Sequence, residues 1–173
     1  SKSGLLEAQR TITAPWDDHA WASDVVMIAS DPVVTTVDLT SAQQMQVAQG
    51  SVQIDADGQR QATVMFPVDN IATATLPDGT TQTLTTLSVR ATEFTVGDSG
   101  QAAMPAELPT GTAYTYALEI NADEAVAAGA KSVKFTKPLP LYVNNFLGFC
   151  PGTSVPMGSY DRELGQWVPE GSG

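Results

Sequence analysis

Apolar and polar positions alternate with period two in several stretches of this chain, the spacing of half-buried strands rather than of helices. Val25, Val26, Met27 and Ile28 instead form a continuous apolar run, which predicts a strand covered on both faces, and a second strand follows the Ser30-Asp31-Pro32 turn. Met45–Ile54 alternates, with Gly50 marking a candidate bulge. Asp55-Ala56-Asp57-Gly58 then predicts a hairpin turn, and Gln59–Phe66 the returning strand. A second hairpin is predicted around Pro77-Asp78-Gly79-Thr80, between Ile71–Leu76 and Thr81–Leu87. Leu87–Val96 alternates as a strand with one end buried and the other wet.

Gly97–Gly111 reads as a long loop, and Tyr114–Ile120 as a strand. Asn121–Gly129 is the one helix the pattern supports, with Asn121 or Asp123 as its cap and Gly129 as its close. Lys131–Thr136 resumes as strand. Lys137-Pro138-Leu139-Pro140 then forces the chain to an edge or across to another sheet, because proline cannot donate to a ladder. Leu141–Phe149 is apolar enough to predict burial, with a kink at Asn144 and Asn145. Val155–Tyr160 and Gln166–Val168 close the chain as a hairpin that sets Tyr160 across from Trp167.

These elements predict an all-β (mainly β) fold, an immunoglobulin-like β-sandwich of nine to twelve short strands with one short helix. The expectation is a single module over residues 1–173, with a subdomain split near 97–111 as the alternative and 170–173 as a linker-like tail. The 173 residues suffice to bury a core. Charged residues are only 16% of the chain, and Thr, Ser and Gln fill polar positions instead, which suits pleated surfaces.

Nineteen acidic against eight basic residues give a net charge of −11. That field repels phosphate backbones and anionic headgroups, so nucleic acid is an unfavourable partner. No window approaches the apolar length of a membrane-spanning helix, so no membrane insertion is expected. The single cysteine, Cys150, forms no internal disulfide; between Phe149 and Pro151 it is expected to be a small buried hydrophobe.

Candidate chemistry concentrates in Trp16, Asp17, Asp18, His19 and Trp21. Two carboxylates beside an imidazole can ligate calcium or another metal, and paired indoles can stack on a sugar ring. The competing reading is a loop whose tryptophans lid the core and whose aspartates bond turn amides. Asp55-Ala56-Asp57-Gly58 resembles the opening of a calcium loop, but position twelve, where a bidentate acid belongs, is Phe66. Serine-elbow, zinc-protease, phosphate-loop and zinc-finger patterns are absent, so no catalytic residue and no cofactor are assigned, and no enzyme is expected.

The runs DVVMIASDPVVTTVDLTSAQQMQVAQGSV, QATVMFP, LPDGTTQTLTTLSVRATEFTVG, MPAELP, YTYALEINADEAVAAGA, YVNNFLGF and VPMGSYDRELGQWVP resemble a module that precedes the repeats of large bacterial RHS/YD-repeat proteins. The resemblance covers nearly the whole chain. It implies a non-enzymatic, β-rich structural or docking module of a giant secreted or surface protein, whose partners are neighbouring domains of the parent chain. The YD repeats themselves are missing, and the resemblance transfers no catalytic residues. A glycan- or calcium-binding adhesion module is the alternative.

Overall fold

The computed structural model describes residues 4–108 and 114–173. The architecture is all-β and sandwich-like, with several small antiparallel sheets. Its described residues fall into two compact units, a larger one of Ser30–Glu93 and Leu118–Phe146, and a smaller one of Ser1–Ala29, Phe94–Ala117 and Leu147–Gly173.

In the larger unit, β1 (Thr35–Asp38), β2 (Met45–Gln49), β3 (Gln53–Asp55), β4 (Gly58–Arg60), β5 (Thr63–Pro67), β6 (Ala72–Thr75), β7 (Thr81–Leu84) and β8 (Thr86–Glu93) follow in order. β9 (Leu118–Ala122), β10 (Ser132–Phe135) and β11 (Leu141–Tyr142) complete it. They pair as three antiparallel sheets, β1-β8-β9, β10-β6-β7 and β11-β5-β2, with β3-β4 as a separate hairpin. The alternation places Val64 and Phe66 of β5, Ala72 and Ala74 of β6, and Leu87 and Val89 of β8 in one core with Val37, Ala48 and Leu84. Val37, Val64, Ala72 and Ala74 are fully enclosed, and Phe66 meets Phe135 edge-on at 6.0 Å between ring centres. Burying a side chain of the size of Val64 or Phe66 contributes about 1.5–3 kcal/mol.

Both aspartate-glycine turns form where the sequence puts them. Gly58 (φ 128°) and Gly79 (φ 85°) take the left-handed conformation that closes each hairpin. Gly50 is more than a bulge: it lies just past the end of β2 and runs so close to β8 that a Cβ there would run into the Ala91 carbonyl oxygen. The expected strand therefore breaks into β2 and β3, and its return into β4 and β5. The Lys137–Pro140 passage carries the chain between sheets, from β10 beside β6 to β11 beside β5, with the Pro140 carbonyl accepting from Met65 N–H at 2.9 Å. The short helix is α2 (Asp123–Ala127). Its N-cap is Ala122, with no side-chain cap; Asp123 and Glu124 bind β8 instead.

The smaller unit packs Leu6, Phe94, Ala103, Met104 and Ala117 together. A single helical turn, α1 (Gly100–Ala103), lies within the stretch read as loop. The Arg10 guanidinium donates to the Ala102 and Met104 carbonyls, both at 3.1 Å. A hairpin of β12 (Pro156–Asp161) and β13 (Gln166–Ser172) sets Tyr160 opposite Trp167, as the closing pattern predicts. Residues 170–172, read from composition as part of a linker-like tail, belong to β13.

Four expectations are corrected. Residues 25–28 form no strand, an isolated bridge forming only at the next residue, Ala29, with Leu5, and Val25, Val26 and Met27 stay exposed. Within the apolar stretch at 141–149, Leu141, Tyr142, Leu147 and Phe149 are exposed rather than buried. Cys150 is exposed as well. The strand expected from Tyr114 begins only at Leu118; Tyr114 packs edge-on against Trp167 at 5.9 Å and donates its hydroxyl to the Ala106 carbonyl at 2.8 Å.

Candidate functional site

Trp16, Asp17, Asp18, His19 and Trp21 lie in an irregular passage of the smaller unit. The two indoles are 98% and 92% exposed, so they lid no core. Asp17 holds a left-handed backbone (φ 59°), and the Asp18 carboxylate accepts its neighbour's amide, His19 N–H, at 2.7 Å. No group of three metal-ligating side chains assembles here or elsewhere among the described residues. The passage presents five functional side chains to solvent without converging them.

The convergent polar groups lie in the larger unit, and spacing alone did not point to them. Arg60, 1% exposed, forks onto Asp55 through Nη1 and Nη2 at 2.7 and 2.8 Å, and its Nε donates to Glu93 at 2.6 Å. Its guanidinium carbon lies 4.5 Å from the centre of the Phe146 ring, within cation–π range. Asp55 at the end of β3, Arg60 in β4 and Glu93 at the end of β8 thus form one buried ionic cluster, and these carboxylates drive the Arg60 pKa further up. Glu93 shares a face with Leu87, Val89 and Ala91, and Arg60 explains how a carboxylate sits there.

A second polar knot surrounds Asp31. Its Oδ1 accepts from Val33 N–H and the Ser51 hydroxyl, both at 2.8 Å, and its Oδ2 from Ser51 N–H at 2.9 Å. Arg90 forks onto Asp123, whose carboxyl it holds below the usual range. Burial would raise the Glu124 carboxyl, but donation from the Ser88 amide and hydroxyl outweighs it and lowers the pKa. Each of these groups satisfies another inside the fold. The arrangement ties strands and α2 together.

The surface carries a sharper feature. Cross-strand partners share a face of a sheet. In β11-β5-β2, Ala48 pairs with Val64 on the core side, so Val47 with Met65 and Met45 with Pro67 occupy the opposite side. Tyr142 joins them through its pairing with Thr63, and the Gln49 amide donates to the Thr63 hydroxyl on the same face at 3.1 Å. Met45, Val47 and Tyr142 are 39%, 46% and 55% exposed. None of these outward positions is charged. The outward side of β10-β6-β7 is built instead from Thr73, Thr75, Thr81, Thr83, Ser132 and Lys134, an ordinary wet surface.

No family model, no curated protein and no solved structure matches this chain.

Proposed function

We propose that the chain is a non-catalytic docking module that holds a neighbouring part of a large secreted or surface protein of the bacterial RHS/YD-repeat type. The observation carrying this reading is the uncharged Met45–Val47–Met65–Tyr142 face in a protein of net charge −11. Exposed apolar patches rimmed by polar residues mark interaction surfaces, and methionine adapts to the shape it meets. The polar groups of the larger unit support the same reading, because they are spent on structure. The parent assignment rests on the resemblance of the ordered sequence runs, and the extracellular location follows from that assignment.

The test is binding of the purified module to the flanking parts of its parent chain, supplied separately. Val47→Lys places a charge on the solvent side of an edge strand, so the melting temperature should hold while affinity falls about thirtyfold, as for a hot-spot residue worth about 2 kcal/mol. Wild-type binding to none of the parent's parts, or undiminished binding by Val47→Lys, would overturn the proposal. The near-complete exposure of Trp16 and Trp21 favours a second reading, a glycan-stacking module. Glycan-array binding that disappears in Trp16→Ala/Trp21→Ala and survives Val47→Lys would select it.

A further inference from the structure

We propose that the Asp57–Gly58 turn is a site of spontaneous isoaspartate formation, and that Thr80 protects the second aspartate-glycine pair, Asp78–Gly79, from the same reaction. Both pairs occupy hairpin turns and both aspartates are exposed. In both, the glycine has no side chain to hinder its backbone nitrogen, which is the attacking atom. The reaction needs that nitrogen to reach Cγ of the preceding aspartate. An N–Cγ bond forms, a Cγ–O bond of the acid breaks, and the amide proton and the hydroxyl leave as water. Hydrolysis of the resulting succinimide at the Asp57 backbone carbonyl returns the water, and the chain then runs through the side-chain carboxyl. The product has the mass of the starting chain and needs no oxidant or co-reactant.

The two turns differ in how the carboxylate is held. Oδ1 of Asp78 accepts from Thr80 N–H at 2.9 Å and from the Thr80 hydroxyl at 2.7 Å. These bonds restrain the side chain, so it must give them up to reach its own following nitrogen, and they hold the group below the usual carboxylate range, in the form with the poorer leaving group. Asp57 has no counterpart to Thr80: its amide donates to Asp55 Oδ1 at 3.0 Å, but no hydrogen bond reaches its own carboxylate among the described residues. The Asp57 side chain is free to swing onto Gly58. Releasing Asp78 would cost hydrogen bonding equivalent to about a tenfold rate factor, or about 1.4 kcal/mol.

The chemistry has a structural consequence at one turn only. Asp55 and Gly58 are register partners, and Asp55 is the residue that grips Arg60. A backbone lengthened by one methylene between Asp57 and Gly58 breaks that register and loosens the buried ionic cluster. The modification would therefore act as an age mark that weakens the fold.

The whole chain would be incubated at neutral pH, then digested and mapped, with isoaspartate scored by enzymatic methylation. A short peptide spanning residues 53–60 provides the unrestrained rate. Isoaspartate is expected at Asp57, about tenfold faster than at Asp78, to be abolished in Asp57→Glu, and to rise at Asp78 in Thr80→Ala. The isomerised fraction should melt below the unmodified protein. Conversion at Asp78 as fast as at Asp57 would overturn the inference. So would an unmodified Asp57 in the intact chain once the peptide has converted.

Discussion

Replacing Arg60 with Met isolates the energetics of the buried ionic cluster. The side chains of Arg60 and Glu93 are 1% and 3% exposed, and that of Asp55 is 14% exposed. Methionine fills much of the arginine stem's volume, so the loss is chiefly electrostatic and not a cavity. Removing one partner of such a pair leaves a carboxylate in the interior without its cation, which costs about 3–5 kcal/mol. The Phe146 contact adds about 1–2 kcal/mol at a desolvated site. Replacing Arg60→Met together with Glu93→Leu removes the more deeply buried of the two stranded carboxylates and leaves Asp55, whose side chain is 14% exposed and still reaches water. The double variant should therefore recover to within about 2 kcal/mol of the wild type. Chemical denaturation followed by far-ultraviolet circular dichroism is the appropriate assay. Trp16, Trp21 and Trp167 all belong to the smaller unit, so indole emission does not follow the larger one. A loss below about 1 kcal/mol in the single variant, or strictly additive effects in the double, would refute the reasoning.

Acid should destabilise the fold. Asp38 and Asp78 are held low by donation from Thr40 and Thr80, Asp123 by Arg90, and Glu124 by Ser88. Depressed folded-state values contribute stability that is present above the unfolded carboxylate range near about 4, and lost as pH falls through the folded values. Melting temperature should be level between about pH 7 and pH 5 and fall below about pH 4; a decline that begins above about pH 6 would contradict this assignment. Gly50→Ala should cost at least about 2 kcal/mol, because its Cβ meets the backbone oxygen of Ala91, which cannot rotate aside; an unchanged melting temperature would show that β2 and β8 separate readily. Trp167→Ala removes ring contacts with Tyr160 at 5.5 Å and Tyr114 at 5.9 Å, a loss of about 1–3 kcal/mol for the two pairs together. A smaller unit that unfolds at the same denaturant concentration, followed by dichroism, would refute that estimate.

Local signals were legible where the physics is local. The two aspartate-glycine turns and the Tyr160–Trp167 hairpin follow from turn chemistry and alternation over a few residues. Apolar runs mislead where burial depends on distant segments. Residues 25–27 have the composition of a covered strand, but no neighbouring strand runs beside them; Leu141–Phe149 pairs with β5 only through Leu141 and Tyr142, and its apolar side chains stay largely exposed. The Arg60–Glu93 pair joins residues 33 apart, so spacing gives no hint of it. A carboxylate within an otherwise apolar face of β8 was the one available sign. The outward Met–Val face was hidden for a related reason: alternation identifies two faces, and only the pairing of β2, β5 and β11 reveals which one remains uncovered.

The order of the two units along the chain bears on how the protein is made. Residues 30–93 and 118–146 supply everything the larger unit needs, so it can close before the last passage has been synthesised. The smaller unit emerges first yet finishes last, since Trp167 and the rest of the closing hairpin are its final segment. At about 5–20 residues per second, its first passage waits roughly 7–30 seconds for that segment. During this interval Leu6, Phe94 and Met104 lack the hairpin that completes their unit. Residues 4–29 are therefore the part of this module that waits longest for the segment completing its unit.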